Sequence, residues 1–172
     1  MIAAALMVVL AAEPLSWGDG RQAFVDPAAI AEIVPSAAGA AALRELDSKA
    51  VVAQSSPRVS LWTLSGSNAV AVLASLEAKL PGHFAAVFHD ERSPGSKLRV
   101  PAGGVLVWLD ALVDPERWAV QRGVAVKQSF GNGTLLLQSE PGAATLALAS
   151  ALRSDKRVRV AMPNWWLRAV WK

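Results

Sequence analysis

The last third of the sequence constrains the fold most, because short apolar runs there alternate with helix and turn signals. Runs of strand length lie at residues 105–109, 124–130, 134–139 and 158–162, and helix signals at 114–122 and 143–154. Asp114 before Pro115 is typical of a helix start. Residues 131–133, Gly-Asn-Gly, favour a tight hairpin. The order predicts a βαββαβ unit with an antiparallel sheet.

The predicted fold class is therefore α+β, with a C-terminal ferredoxin-like unit and a small αβ module before it. We assign residues 13–98 to the module and 99–166 to the ferredoxin-like unit. The polar segment 91–101, which contains Pro and Gly, is the predicted boundary. Residues 167–172 are the predicted C-terminal tail.

Within the N-terminal module, Asp26 and Pro27 predict a short helix over residues 28–33. A second helix at 36–46, a connector at 49–57, a strand at 59–64, a helix from Ser67 or Asn68 to 80 and a strand at 84–88 follow. This last strand–helix–strand layout resembles that of residues 134–162. A degenerate internal repeat is therefore an open alternative.

Residues 1–12 form an apolar run that ends in small residues. The run is shorter than the ~20 residues that a membrane-spanning helix needs, so we expect no stable membrane span. It is typical of a signal-peptide core, which predicts a secreted or periplasmic protein. The alternative is an N-terminal hydrophobic helix that packs on the domain.

Composition excludes several kinds of chemistry. The chain has no cysteine, so disulfides, thiolate metal sites and thiol catalysis are excluded. A formal charge of +3 is too small to predict a polyanion partner. His89, Asp90 and Glu91 are metal-ligand residue types, but consecutive residues point in different directions and no second cluster completes a site. Since no Gly-x-Ser-x-Gly motif is present either, we expect no enzyme activity and no cofactor.

The same C-terminal region resembles the propeptide domain of subtilisin-family serine proteases. The resemblance is carried by residues 130–137, by Pro141-Gly142 with the Leu/Ala-rich helix that follows, and by residues 158–166, which read Val-Arg-Val and then Pro-Asn-Trp-Trp. It implies a chaperone and inhibitor whose partner is a subtilisin-like serine protease. Because no protease domain follows, we expect action in trans.

The resemblance also implies how the partner is held. The open face of the sheet would pack on the protease, and the chain after the Pro-Asn pair would leave the sheet and enter the active-site cleft. The predicted partner-binding residues are Leu136, Gln138, Glu140, Pro163, Asn164, Trp165, Trp166 and Leu167. The alternative is a tail that folds back and buries its tryptophans.

Two predicted strands fail to alternate between apolar and polar residues. Residues 105–109 and 135–137 are apolar throughout, so both faces of these strands should be covered. Either the N-terminal module or another protein covers the open face. On the other face, we predict that Leu146 contacts Val160. A nucleic-acid-binding module is the runner-up function, with Trp108 as the one candidate stacking platform.

Overall fold

The computed structural model describes residues 15–16, 22–91 and 97–167. The predicted signal segment, residues 92–96 of the predicted boundary and residues 168–172 of the predicted tail lie outside this part of the chain. Within it, the fold is α+β, with four helices and a nine-stranded sheet whose strand pairs are all antiparallel.

The helices and strands follow one another along the chain in a regular order. They are β1 (Leu15–Ser16), β2 (Gln22–Ile33), α1 (Ala37–Leu46), β3 (Val51–Ser55), β4 (Val59–Thr63), α2 (Ala69–Lys79), β5 (Phe84–His89), β6 (Leu98–Leu109), α3 (Pro115–Arg122), β7 (Val126–Gly131), β8 (Thr134–Leu137), α4 (Ala143–Arg153) and β9 (Val158–Leu167). The predicted type of every element from β4 onward is confirmed, as is the helix at 36–46.

Local capping explains where the helices begin. The Ser36 hydroxyl accepts a hydrogen bond from the Gly39 N–H at 2.9 Å, at the start of α1. The Asp114 carboxylate accepts one from the Arg117 N–H at 3.0 Å, at the start of α3. Asn68 is the N-cap residue of α2, although its side chain makes no capping bond.

Four predictions of element type or extent are wrong in the described part of the chain, and one is the boundary segment 91–101, because β6 begins within it at Leu98. The predicted helix at 28–33 is part of β2, where successive residues Ile30 and Ala31 are both fully buried. A strand that is buried on both faces does not alternate, so its pattern is easily taken for a helix. The predicted connector at 49–57 contains β3. The last strand does not stop at Pro163 but continues to Leu167.

The sheet consists of two units with the same strand order. Along the sheet the strands run β3-β4-β2-β5-β6-β8-β7, with β9 on β6 and β1 on β2. In each unit the first strand lies between the third and the fourth, and the second strand lies outside the third. The units join edge to edge where β5 pairs with the start of β6, at Phe88 with Arg99 and His89 with Leu98.

All four helices contribute their buried side chains to one side of the sheet. One cluster contains the buried residues of α1 and α2, and a second contains those of α3. Helix α4 spans both, because Leu146 packs in the first cluster and Leu152 in the second. The predicted Leu146–Val160 contact is wrong, since Val160 is 40% exposed and belongs to neither cluster.

The other side of the sheet differs between the two units. In the first unit it is a buried apolar cluster that includes Ala31, Leu61, Val87 and Val100. Because residues alternate along a strand, the same side of the second unit carries the side chains that neighbour Val105 and Val107 in sequence.

Candidate functional site

An apolar patch lies on the second unit, on the side of the sheet opposite the helices. We define the apolar patch by its residues Leu106, Trp108, Leu136, Val160 and Met162. Strand register brings them together: Leu106 lies opposite both Leu136 and Met162, and Trp108 lies opposite Val160. Three adjacent strands, β8, β6 and β9, therefore contribute to one surface.

The patch is only partly shielded from solvent. Leu136 is 9% exposed and Val160 is 40% exposed, while Leu106, Trp108 and Met162 are intermediate. None of these side chains carries a charge. On the outer strand β7, Phe130 is 52% exposed and adds another large apolar side chain to this unit. Large apolar side chains gathered on an exposed face are typical of interaction surfaces.

The N-terminal unit does not lie on this patch. It continues the sheet sideways through the β5–β6 pairing instead of stacking on the face of the second unit. Among its described residues, the N-terminal module therefore does not cover the second unit's open face. Among the described residues, every helix also packs on the opposite side.

The segment that was predicted to leave the sheet is instead part of strand β9. Pro163 lies opposite Val105, Trp165 opposite Pro101 and Leu167 opposite Arg99. The Trp165 ring meets Phe88 edge-on, with ring centroids 5.7 Å apart and planes at 76°. These residues pair with β6, and Trp165 also packs on the first unit, so they do not form an extended segment that is free to enter a cleft.

Two glycines allow β9 to pair with β6 across both units. The register shifts between Pro101 and Val105, and there Gly103 and Gly104 have φ values of 95° and 84°. A side chain at Gly104 would place its Cβ 2.9 Å from the Leu137 carbonyl oxygen. The Asn164 amide donates to the Gly103 carbonyl at 3.0 Å. This hydrogen bond therefore stabilises the bulge.

The structure separates the predicted partner-binding residues. Leu136 belongs to the apolar patch, and residues 164 and 166 point to the same side of the sheet by alternation along β9. Pro163 and Trp165 point to the helix side, where Trp165 packs against the first cluster. Gln138 and Glu140 are exposed in the segment after β8.

Sequence reasoning did not assign most of the residues of this candidate site. Its signal was present, because the unbroken apolar run at 105–109 requires an apolar side chain on each face of β6. Leu106 and Trp108 follow from that run directly. Val160 and Met162 could not be assigned without the β6–β9 register, which the bulge at Gly103 and Gly104 sets.

Charged side chains elsewhere form local pairs. Nε2 of His89 lies 2.7 Å from an Asp26 carboxylate oxygen, and Arg99 forms an ion pair with Asp90. In the described ranges, His, Cys, Asp and Glu side chains do not gather in threes as a metal site would need. Nor does any described helix combine the length and apolar character required to cross a bilayer.

No family model, curated protein or solved structure matches this chain. The resemblance to subtilisin propeptides therefore depends on the sequence motifs alone. The apolar patch remains the strongest candidate site, on the strength of its exposure and its composition.

Proposed function

We propose that this chain is a non-enzymatic binding protein that docks on another protein through the apolar patch. The observation that carries the proposal is that the described strands of the N-terminal unit extend the sheet beside the patch and do not cover it. A face of Leu, Trp, Val and Met side chains supplies the apolar core that a protein interface needs.

The proposed fold of the second unit is ferredoxin-like, and the strand order β9-β6-β8-β7 supports it. The proposed partner is a subtilisin-like serine protease, for which the chain acts as chaperone and inhibitor. The sequence resemblance supports this choice. We assign the contact with the protease to the patch, and we assign residues 164–167 to the fold, because they pair with β6.

Binding to a mature subtilisin-family protease from the same cell tests the proposal. Val160→Glu places a charge in the patch at a site already 40% exposed. We expect it to weaken binding and inhibition at least ~tenfold, since charges are depleted from interface cores. The matched control is Val120→Glu on α3, where Val120 is 81% exposed on the helix side. Equal binding by both variants, or no binding by the wild type, would contradict the proposal.

A third variant, Trp108→Ala, addresses the nucleic-acid alternative. If single-stranded RNA binds and Trp108→Ala abolishes that binding, the patch is a base-stacking surface and the protease proposal fails.

Export is a separate proposal that N-terminal sequencing of the protein from its native host tests. We expect the mature chain to begin near Ala12 or Glu13, and an intact Met1 on cytoplasmic material would contradict export.

A further inference from the structure

Strand β3 forms one outer edge of the sheet. It pairs with β4 and, among the described residues, has no strand on its other side. The backbone groups along such an edge can pair with a further strand.

The other long outer strands are protected against such pairing. In β9, Pro163 has no backbone N–H, and Arg153 donates to the Ala161 carbonyl at 3.0 Å. Strand β7 carries Lys127 and has two register shifts against β8. Lysine, proline and bulges are common devices for blocking a sheet edge.

Strand β3 has only one of these devices, a register shift at Ala53. Its sequence, Val-Val-Ala-Gln-Ser, has no charge and no proline. Val51 is 58% exposed and Val52 is 43% exposed. The edge is therefore uncharged and carries two exposed valines.

Positive charge lies at both ends of this edge. Lys49 precedes β3 and Arg58 follows it, and both are exposed. Neither forms an ion pair among the described residues. An occupant with acidic ends would complement this arrangement.

We propose that the β3 edge binds an extended peptide segment of a partner protein, with a neutral β-branched centre and acidic residues at both ends. Binding is by strand addition, in which main-chain hydrogen bonds to β3 supply affinity and the flanking cations set specificity. This surface is distinct from the apolar patch. A negative result at one of the two surfaces therefore does not contradict the proposal made for the other.

The probe is the peptide acetyl-Glu-Val-Thr-Val-Thr-Val-Glu-amide, compared with a twin that has Lys in place of both Glu residues. Titration followed by amide NMR should show saturable shifts at residues 51–55 with the acidic peptide, and binding at least ~tenfold weaker with the basic one. Val160→Glu should leave this binding unchanged.

Two variants locate the site. Ala53→Pro removes an N–H at the register shift, where Ala53 has no partner on β4, and should weaken binding ~tenfold. If that variant does not fold, the surface double variant Lys49→Glu with Arg58→Glu should reverse the preference between the peptides. The control is Lys127→Glu on β7, which should change neither affinity.

Three results of the peptide titrations would overturn the proposal. They are the absence of saturable binding up to ~1 mM, a typical weak-binding limit, equal binding of the two peptides, and shifts confined to residues away from β3. A dimer of the free protein that Ala53→Pro dissociates would also overturn it, because the occupant would then be a second copy of the chain.

Discussion

At the scale of single residues, the buried carboxylate of Asp155 holds the turn before β9 against α3. It accepts hydrogen bonds from the Trp118 indole at 3.1 Å and from the Arg157 guanidinium at 3.1 Å, and it pairs with Arg122. The Arg157 bonds hold the pKa of Asp155 well below its ordinary value of 3.8, against burial, which raises the pKa. Arg122 and Trp118 lower it further.

Because the pKa is lowered in the folded state, Asp155 stabilises the fold above pH ~4 and loses this contribution as the pH falls below that value. Asp155→Asn should therefore lower the free energy of unfolding by about 2–3 kcal/mol at neutral pH. The difference from wild type should shrink in acid. Denaturant unfolding over a pH series measures both effects.

The matched control for that experiment is Asp110→Asn. The Asp110 carboxylate is 52% exposed and lies 3.8 Å from Arg159, so its loss should cost less than ~1 kcal/mol. An Asp155→Asn difference that stays constant down to pH ~2 would contradict the assigned linkage.

Val34 combines a β-branched side chain with a left-handed backbone conformation, which is unfavourable. It has a φ of 53°, a conformation that β-branched residues rarely adopt, and it is 67% exposed. Asn tolerates this conformation, so Val34→Asn should raise the free energy of unfolding by about 1 kcal/mol. Val120→Asn on α3 is the control and should change little, because the two residues have similar helix propensity. A destabilised Val34→Asn protein would show that the Val34 side chain has a packing role.

Residue-scale features differ in how far the sequence predicts them. Ser36 and Asp114 were predictable caps, because a cap bonds within its own first helical turn. The Trp118–Asp155 bond joins residues that lie 37 positions apart, and no local pattern encodes it. The αL conformation of Val34 is imposed by tertiary context on a residue type that gives no such signal.

At the scale of elements, β9 differs most from the sequence prediction. Pro163 was expected to end the strand, but it lies opposite Val105 at the register shift, where a proline is tolerated. Trp165 and Trp166 beyond it are instead packing residues of the sheet. The sequence left open whether they enter a protease cleft or fold back and become buried.

Trp165→Ala tests whether this end of β9 is structural. We expect a loss of about 3 kcal/mol in the free energy of unfolding, because the ring packs on Phe88 and the first cluster. Leu167→Ala is the control and should cost under ~1 kcal/mol, since Leu167 is 51% exposed. If Trp165→Ala left the stability unchanged but abolished protease inhibition, the result would support the hypothesis that this segment enters the protease cleft.

Helix α4 makes a second prediction at this scale, because it packs in both clusters. Leu146→Ala and Leu152→Ala should each cost about 2–5 kcal/mol, as both side chains are at most 5% exposed. Each variant should still unfold in one transition, because the helix couples the two units. Far-UV circular dichroism and tryptophan fluorescence that report different midpoints would contradict this coupling.

At the scale of the whole molecule, the sequence predicted two regions but not their relation. The βαββαβ order of residues 105–162 followed from local signals, and the layout of residues 59–88 suggested a repeat. The repeat became complete only with β2 and β3, which had been taken for a helix and a connector. Their burial and pairing depend on partners far along the chain, which local periodicity does not report.

Local sequence patterns also predicted only part of the apolar patch. Its strands were predicted, and so was the need to cover them. The sideways placement of the N-terminal unit was not, because it rests on the short β5–β6 pairing between Phe88 and Arg99 and between His89 and Leu98. That pairing leaves no pattern of its own in the sequence.

The seam at β5 and β6 has a consequence for what happens when the chain is cut. Helix α4 and Trp165 belong to the C-terminal half in sequence, yet both pack in the core of the N-terminal half. Two fragments divided between residues 94 and 95 should therefore reassemble when co-expressed and co-purify as a one-to-one complex. Each fragment alone should aggregate or remain unfolded. Two soluble fragments that fail to associate would contradict this, whereas reassembly would make the chain a split protein whose halves complement each other only as a pair.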